Sequence, residues 1–478
     1  MRTGLLIALF MLAGCAGSST SLPPSTPRGS APPQTWLLTS DVHFNPFDDA
    51  TLVNQLIASP AGEWHSILSE STKPPSPYFN DTNFALLESA LAAMKGVQPN
   101  PPIVIVAGDF MAHQFPERFA KADPSAPPGA YEKFVDKTMA FLAMEFAATY
   151  PSAQFVITLG NNDGYCGNYM STPGSPFLSH TAMAWRPLVN RGGTASNFVR
   201  QFSNGGYYST TLRPFGAMPA IVLNSVLWSS FYQNTCGKPG SDPGADELDW
   251  LAARAPAIGG HPLLMTHIPP GIDEYASINN NAATPLYKET YTRRLLSILA
   301  GMSPSAFLLG HIHHATFEIA PIAGGQIGTL GIPSISPNQG NNPAFIVALV
   351  SPTSPMLTDT TTYALPLASL GAWSKLYSFN AAYGLQAYDS TNLLELQSSI
   401  ASDTTIRRSF FNNYNSGSTT ATPAPEKWRW YWCGHTQLTP APYTDCVNQR
   451  RRPRRSGSAK TYSRPEISSG NVSSALPM

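Results

Sequence analysis

The chain has 478 residues, 42% of them hydrophobic and 12% charged, with no net charge. Such a chain can bury a large core and form roughly one to three domains. The balanced charge excludes a global basic field that would hold nucleic acid or an anionic membrane.

At the N-terminus, Met1-Arg2 is a short basic start and Leu5 to Leu12 a short apolar run, followed by Ala13-Gly14-Cys15. The run is too short to span a bilayer and fits the apolar region of a signal segment. Small residues before a cysteine resemble the lipobox of bacterial lipoproteins. That resemblance implies cleavage before Cys15, lipidation of its thiol and an anchor in the bacterial cell envelope. Ala16, rather than Asp, follows Cys15, which by resemblance to enterobacterial lipoprotein sorting implies the outer membrane. Residues 16–34 are rich in Ser, Pro, Thr and Gly and read as a disordered tether.

From Thr35 onward strands and helices alternate. Trp36–Thr39, Ile103–Ala107, Phe155–Leu159, Leu263–Met265 and Phe307–Leu309 are short continuous apolar runs, the pattern of strands buried on both faces. Further strands are expected at Gly206–Leu212, Ala220–Leu223, Gln326–Leu330 and Phe345–Val350. Helices are expected at Thr82–Lys95, Tyr131–Ala148, Asp246–Ala255 and Tyr291–Leu299. The alternation predicts a layered α/β domain over 35–352.

The five buried runs end at Asp41-Val-His43, Gly108-Asp109, Gly160-Asn161-Asn162-Asp163, Thr266-His267 and Gly310-His311-Ile-His313-His314. Sites in open α/β sheets form beyond the carboxyl ends of strands, where all five clusters fall. Asp41 and His43, two apart in an extended segment, would face one side and share a cation. His311 and His313 are spaced the same way. The two oxygens of Asp109 could bridge two cations, and Asn161 offers a neutral amide oxygen. Six of the ten histidines lie in or beside these clusters, too many for scattered core or surface positions. Asp163 is placed to orient a neighbouring ligand. His314 is expected to point away.

After about Thr353 the character changes. Residues 365–415 hold helix-like stretches, and Trp428, Trp430 and Trp432 read as a core or interface cluster rather than a lipid-facing patch. Residues 353–449 are expected to form a small, mainly helical C-terminal subdomain. Beyond Cys15, the cysteines are Cys166, Cys236, Cys433 and Cys446. An even number in an exported protein suggests two disulfides. Three pairings are open; Cys433 with Cys446 is the local choice, which would leave Cys166 with Cys236. Residues 450–478, with Arg450 to Arg455, read as a solvated tail rather than a nucleic-acid site.

The order D-x-H, G-D, G-N-x-D, H, G-H-x-H resembles the calcineurin-like metallophosphoesterases. His113 four residues after Asp109, His267-Ile-Pro-Pro-Gly271, Pro333-Ser-Ile-Ser-Pro337 with Asn342-Pro343, and the segment Cys433–Cys446 narrow the resemblance to the acid sphingomyelinase-like branch. It covers about residues 35–446. It implies two central β-sheets sandwiched by helices. By position it places one divalent metal on Asp41, His43, Asp109 and His313, and a second on Asp109, Asn161, His267 and His311. Zinc is the implied metal, and the mixed N/O donors also suit manganese or iron.

The implied activity is hydrolysis of a phosphodiester by a hydroxide held between the metals. Its substrate would be a phosphorylated small molecule, lipid or polyphosphate. The pattern departs at Asn162, where the branch usually has a substrate-contacting histidine. An amide can bind a phosphate oxygen but cannot pass a proton, so His113 becomes the expected donor. Gly-Asn-Asn-Asp also resembles endopolyphosphatases, which keeps polyphosphate or nucleotide pyrophosphate hydrolysis as the alternative. A surface binding lipoprotein without chemistry is the reading from another class. Nothing in the sequence sets an oligomeric state.

Overall fold

The structure is a computed structural model that describes residues 33–213, 218–233, 242–258, 261–369, 371–420 and 425–449. Cys15, Cys236 and the arginine-rich segment from Arg450 lie outside the described residues.

Twelve strands among the described residues form two six-stranded mixed sheets. The strands are β1 (Gln34–Thr39), β2 (Ile103–Val106), β3 (Gln154–Ile157), β4 (Tyr208–Leu212), β5 (Met218–Val222) and β6 (Leu263–Met265). They continue with β7 (Ala306–Leu309), β8 (Ile319–Ile322), β9 (Gly325–Gly331), β10 (Ala344–Val350), β11 (Leu357–Ala364) and β12 (Ser374–Ser378). One sheet runs β12-β11-β10-β1-β2-β3, and the other runs β4-β5-β6-β7-β9-β8. β1, β2 and β3 are parallel, as are β5, β6, β7 and β9.

The two-residue period of a strand explains the layering. Leu263, Met265, Ala306 and Leu308 join the same core cluster as Leu37, Val104 and Phe155 of the other sheet. Their neighbours Leu264, Phe307 and Leu309 face a second core with Leu248, Leu251, Leu295 and Leu299. Those leucines belong to the helices Pro243–Arg254 and Glu289–Leu299. On the other sheet, Phe84–Val97 and Ala130–Thr149 bury Leu87, Leu91, Phe134 and Leu142 in the first core. Helices therefore flank two stacked sheets. Asn83 starts one of these helices by accepting the Leu86 N–H on its side chain.

The strand pairing continues through the change of composition near Thr353, because β11 pairs with β10 and β12 with β11. Helices then dominate: Phe379–Tyr383, Ser390–Ser402, Thr404–Tyr414, Trp428–Gly434 and Pro440–Asn448. A Cys433–Cys446 disulfide ties the last two. Cys166 is also disulfide-bonded. Trp428, Trp430 and Trp432 pack partly buried against the main core, and the Trp432 Nε1–H donates to the Gln397 carbonyl. No helix among the described residues is long and apolar enough to cross a membrane.

Candidate metal centre

The loops after β1, β2, β3, β6 and β7 converge. The first two run side by side, through Asp41 N–H to Gly108 O (3.0 Å), His43 N–H to Asp109 O (2.9 Å) and Phe44 N–H to Phe110 O (2.7 Å). Asp41 and His43 do share a side, but not by extended alternation. Both are left-handed, with φ of 48° and 44°, and so are Asp109 (52°), His311 (71°) and His313 (65°). Such conformations are uncommon for residues with a side chain and collect at functional sites. His311 and His313 also depart from the expected same-sided pair. His313 Nε2 lies 3.1 Å from His43 Nε2, whereas His311 groups with Asp109 and His267.

Two carboxylates form the middle of the cluster. Asp109 Oδ2 is 3.4 Å from His43 Nε2 and 3.3 Å from His267 Nε2. Asp41 Oδ1 is buried without a hydrogen bond, 3.4 Å from His313 Nε2, 3.8 Å from His43 Nε2 and 4.0 Å from His267 Nε2. The other oxygen of Asp41 accepts from Ser40 Oγ–H and from the His311 N–H. His43 Nδ1 faces the Met111 carbonyl at 3.1 Å, and His267 Nδ1 faces the Ala107 carbonyl at 2.6 Å. A proton held at each Nδ1 by its carbonyl leaves the Nε2 lone pair turned inward. Asn161 Oδ1 is 3.1 Å from His267 Nε2, and Asn161 Nδ2–H donates to Asn168.

The electrostatics call for positive charge. Burial alone would raise Asp41, but His313 and His43 beside it hold it at about 2. Burial would likewise raise Asp109, but His267 and His43 keep it well below the usual carboxylate range. In return burial would lower His43 and His267, but Asp109 together with Asp41 and their other partners pushes both up to about 9. Buried carboxylates surrounded by inward imidazole lone pairs are the donor set that a divalent cation satisfies. The residues present therefore fit metal ions, and they divide into groups that share Asp109: Asp41-His43-Asp109 and Asp109-His267-His311.

Around this set, Asn162 turns onto Asp109, donating its N–H to Oδ1 (2.8 Å) and its Nδ2–H to Oδ2 (2.9 Å). Gly160 has no room for a side chain, since a Cβ there would overlap Asp109. Asp163 accepts the N–H groups of Phe110 (2.8 Å), Met111 (3.1 Å) and Gly160 (2.8 Å), locking two ligand loops together. His113 stacks on His43 with ring centroids 4.1 Å apart. A ring nitrogen of His113 is within 4.8 Å of those of His43 and His313. His314 leaves the cluster and stacks on Tyr414.

Sequence reasoning missed two side chains. Asp81 hydrogen-bonds His113, and in sequence it passes for part of the helix cap at Asn83. Tyr169 brings its hydroxyl to 3.4 Å from His311 Nε2, and no motif marks it.

Two stacked sheets with this cluster at their strand ends define a dinuclear metallophosphoesterase. Residues 35–315 match the calcineurin-like phosphoesterase family, and the chain belongs to it. It is similar to the human acid sphingomyelinase-like phosphodiesterase 3b, 26% identical over 399 residues, covering 78% of this chain and 82% of that protein. It is also 26% identical to sphingomyelinase phosphodiesterase D of Dictyostelium discoideum, covering 71% of this chain and 74% of that one. An endopolyphosphatase of Cryptococcus neoformans is 27% identical over 125 residues, 25% of this chain and 18% of that protein.

Proposed function

We propose that this chain is an exported, lipid-anchored phosphodiesterase whose substrate resembles sphingomyelin in carrying a phosphodiester. The observation that carries the reading is Asp109 Oδ2, set 3.4 Å from His43 on one side and 3.3 Å from His267 on the other. Asp41, His43, Asp109 and His313 would hold one divalent ion. Asp109, Asn161, His267 and His311 would hold the other, with zinc the first choice and manganese or iron compatible. When bound, the ions neutralise phosphate oxygens and make a nucleophile of water near neutral pH.

The protein's own groups do the rest. Asp41 and Asp109 supply the negative charge that selects divalent ions. Asn162, buried beside Asp109, gives one amide hydrogen to that carboxylate and would have the second to offer a phosphate oxygen. His113 is the nearest imidazole left free for protonating a leaving oxygen. Export and anchoring rest on the residues up to Cys15.

Relatives named as phosphodiesterases align over most of the chain, whereas the endopolyphosphatase aligns over a quarter of it. Asn162 keeps polyphosphate as the second reading. A panel of sphingomyelin, nucleotides, bis-p-nitrophenyl phosphate and polyphosphate, each with zinc and with manganese, separates the two. Phosphodiester turnover is expected to dominate, and faster release of phosphate from polyphosphate would favour the second reading. Turnover of none of them with two metals bound would point to a binding protein.

A further inference from the structure

The geometry points to Tyr169 and Phe231 as an aromatic wall that takes a planar ring of the substrate, such as a nucleobase, an inference that rests on the phosphodiesterase reading. Two ring-to-ring steps lead outward from His311. The first is 6.2 Å to Tyr169, edge to face, and the second is 5.4 Å from Tyr169 to Phe231. The Tyr169 hydroxyl stays inside, 3.4 Å from His311 Nε2, whereas Phe231 is 42% exposed. The wall therefore runs from a candidate metal ligand to solvent. Single apolar side chains on a surface need no explanation, but a ring in contact with the lining of a site is a different case.

Two loops are fastened together to hold these rings. The Tyr169 N–H donates to the Asn161 carbonyl at 2.8 Å, and the Gln233 N–H donates to the Tyr169 carbonyl at 3.0 Å. The Tyr232 hydroxyl donates to the Ser171 carbonyl at 2.9 Å. On the other side of Phe231, the Ser230 N–H donates to the Leu286 carbonyl at 2.9 Å, and the Phe231 N–H itself donates to Ser229 Oγ at 3.1 Å. Phe231 is thus exposed on an anchored backbone. Tyr169 adopts a left-handed conformation, with φ of 58°. A bulky residue at positive φ is costly, and such costs persist where the surroundings require the loop.

The chemistry of the wall selects its ligand. With the phosphate at the metal groups, an ester group extending past His311 meets first Tyr169 and then Phe231. A flat apolar ring gains most there, because it can pack against an aromatic face or edge while its polar rim stays in water. A nucleoside carries such a ring one sugar away from its phosphate. A quaternary ammonium is a poorer match, since cations are held best by Trp and by cages of several rings.

Three diesters test this on the metal-loaded protein: thymidine 5′-methyl phosphate, the same diester lacking its base, and glycerophosphocholine. The parent is expected to favour the base-bearing diester over the abasic one by roughly 10-fold in kcat/KM, mostly through KM. Phe231→Ala is expected to lose most of that preference and Phe231→Tyr to keep it, with metal content measured alongside. Should alanine cost metal, Phe231→Leu, apolar but not planar, takes its place with the same expectation. A parent that treats the base-bearing and abasic diesters alike, or a planar-ring deletion that keeps the preference, would overturn the assignment. So would a preference for the choline ester that vanishes with Phe231, which would make the wall a cation site. Turnover of none of the three with two metals bound would instead remove the phosphodiesterase reading, and the inference with it.

Discussion

Asp163 shows how one side chain can hold a catalytic surface together without facing it. Its carboxyl ends three buried N–H groups on two loops, and removing it strands all three. Each stranded buried donor costs about 1–3 kcal/mol. Asp163→Ala is therefore expected to lower the unfolding free energy by about 3 kcal/mol or more and to weaken metal retention. Urea denaturation and metal analysis after dialysis check both, and an unchanged denaturation midpoint would show that other bonds carry these loops. Its neighbour Asn162 matters differently. Turned onto Asp109, it gives that carboxylate a hydrogen bond to each oxygen.

At the scale of elements, the sequence and the structure agree where burial is complete. Ile103 to Val106 and Leu263 to Met265 are apolar at every position because both faces are covered, and that pattern reads directly as strand. β11 is different: Leu357-Thr-Asp-Thr-Thr-Thr-Tyr-Ala364 has one half-open face, and its polar threonines hide it among loops. β12 lies in a stretch that reads as helical, because pairing with β11 decides its state rather than local preference. The candidate ligand residues that the structure gathers could be grouped from the sequence, since histidine is scarce and the clusters follow strands. Their backbone could not be read there. Five of these candidate residues adopt left-handed conformations that no composition rule assigns to Asp or His. Asp81 was equally hidden, because its link to His113 spans 32 residues and leaves no periodicity.

At the scale of the whole molecule, buried acids away from the metal cluster shape the response to pH. Burial pushes Glu318 up to about 8, with one carboxyl oxygen unpartnered, and raises Glu247 and Glu274 in the same direction. A folded value above the unfolded one binds the proton more tightly in the folded state. The contribution is complete below about pH 4.5 and is lost as pH rises towards 8, at about 1.4 kcal/mol per unit. Glu318→Gln is expected to flatten that slope, so the variant gains on the parent between pH 5 and pH 8 in denaturant titrations. A parallel decline in both proteins would rule Glu318 out as the source. The position of the ligand loops has a mechanical consequence as well. Those after β1, β2 and β3 belong to one sheet, and those after β6 and β7 to the other. Ions held by both would act as rivets through the molecule, and a site occupied at 1,000 times its Kd would add about 4 kcal/mol. Chelation should then lower Tm in step with free metal and speed amide exchange on either side of the seam. A Tm indifferent to metal would mean that the two halves close without their rivets.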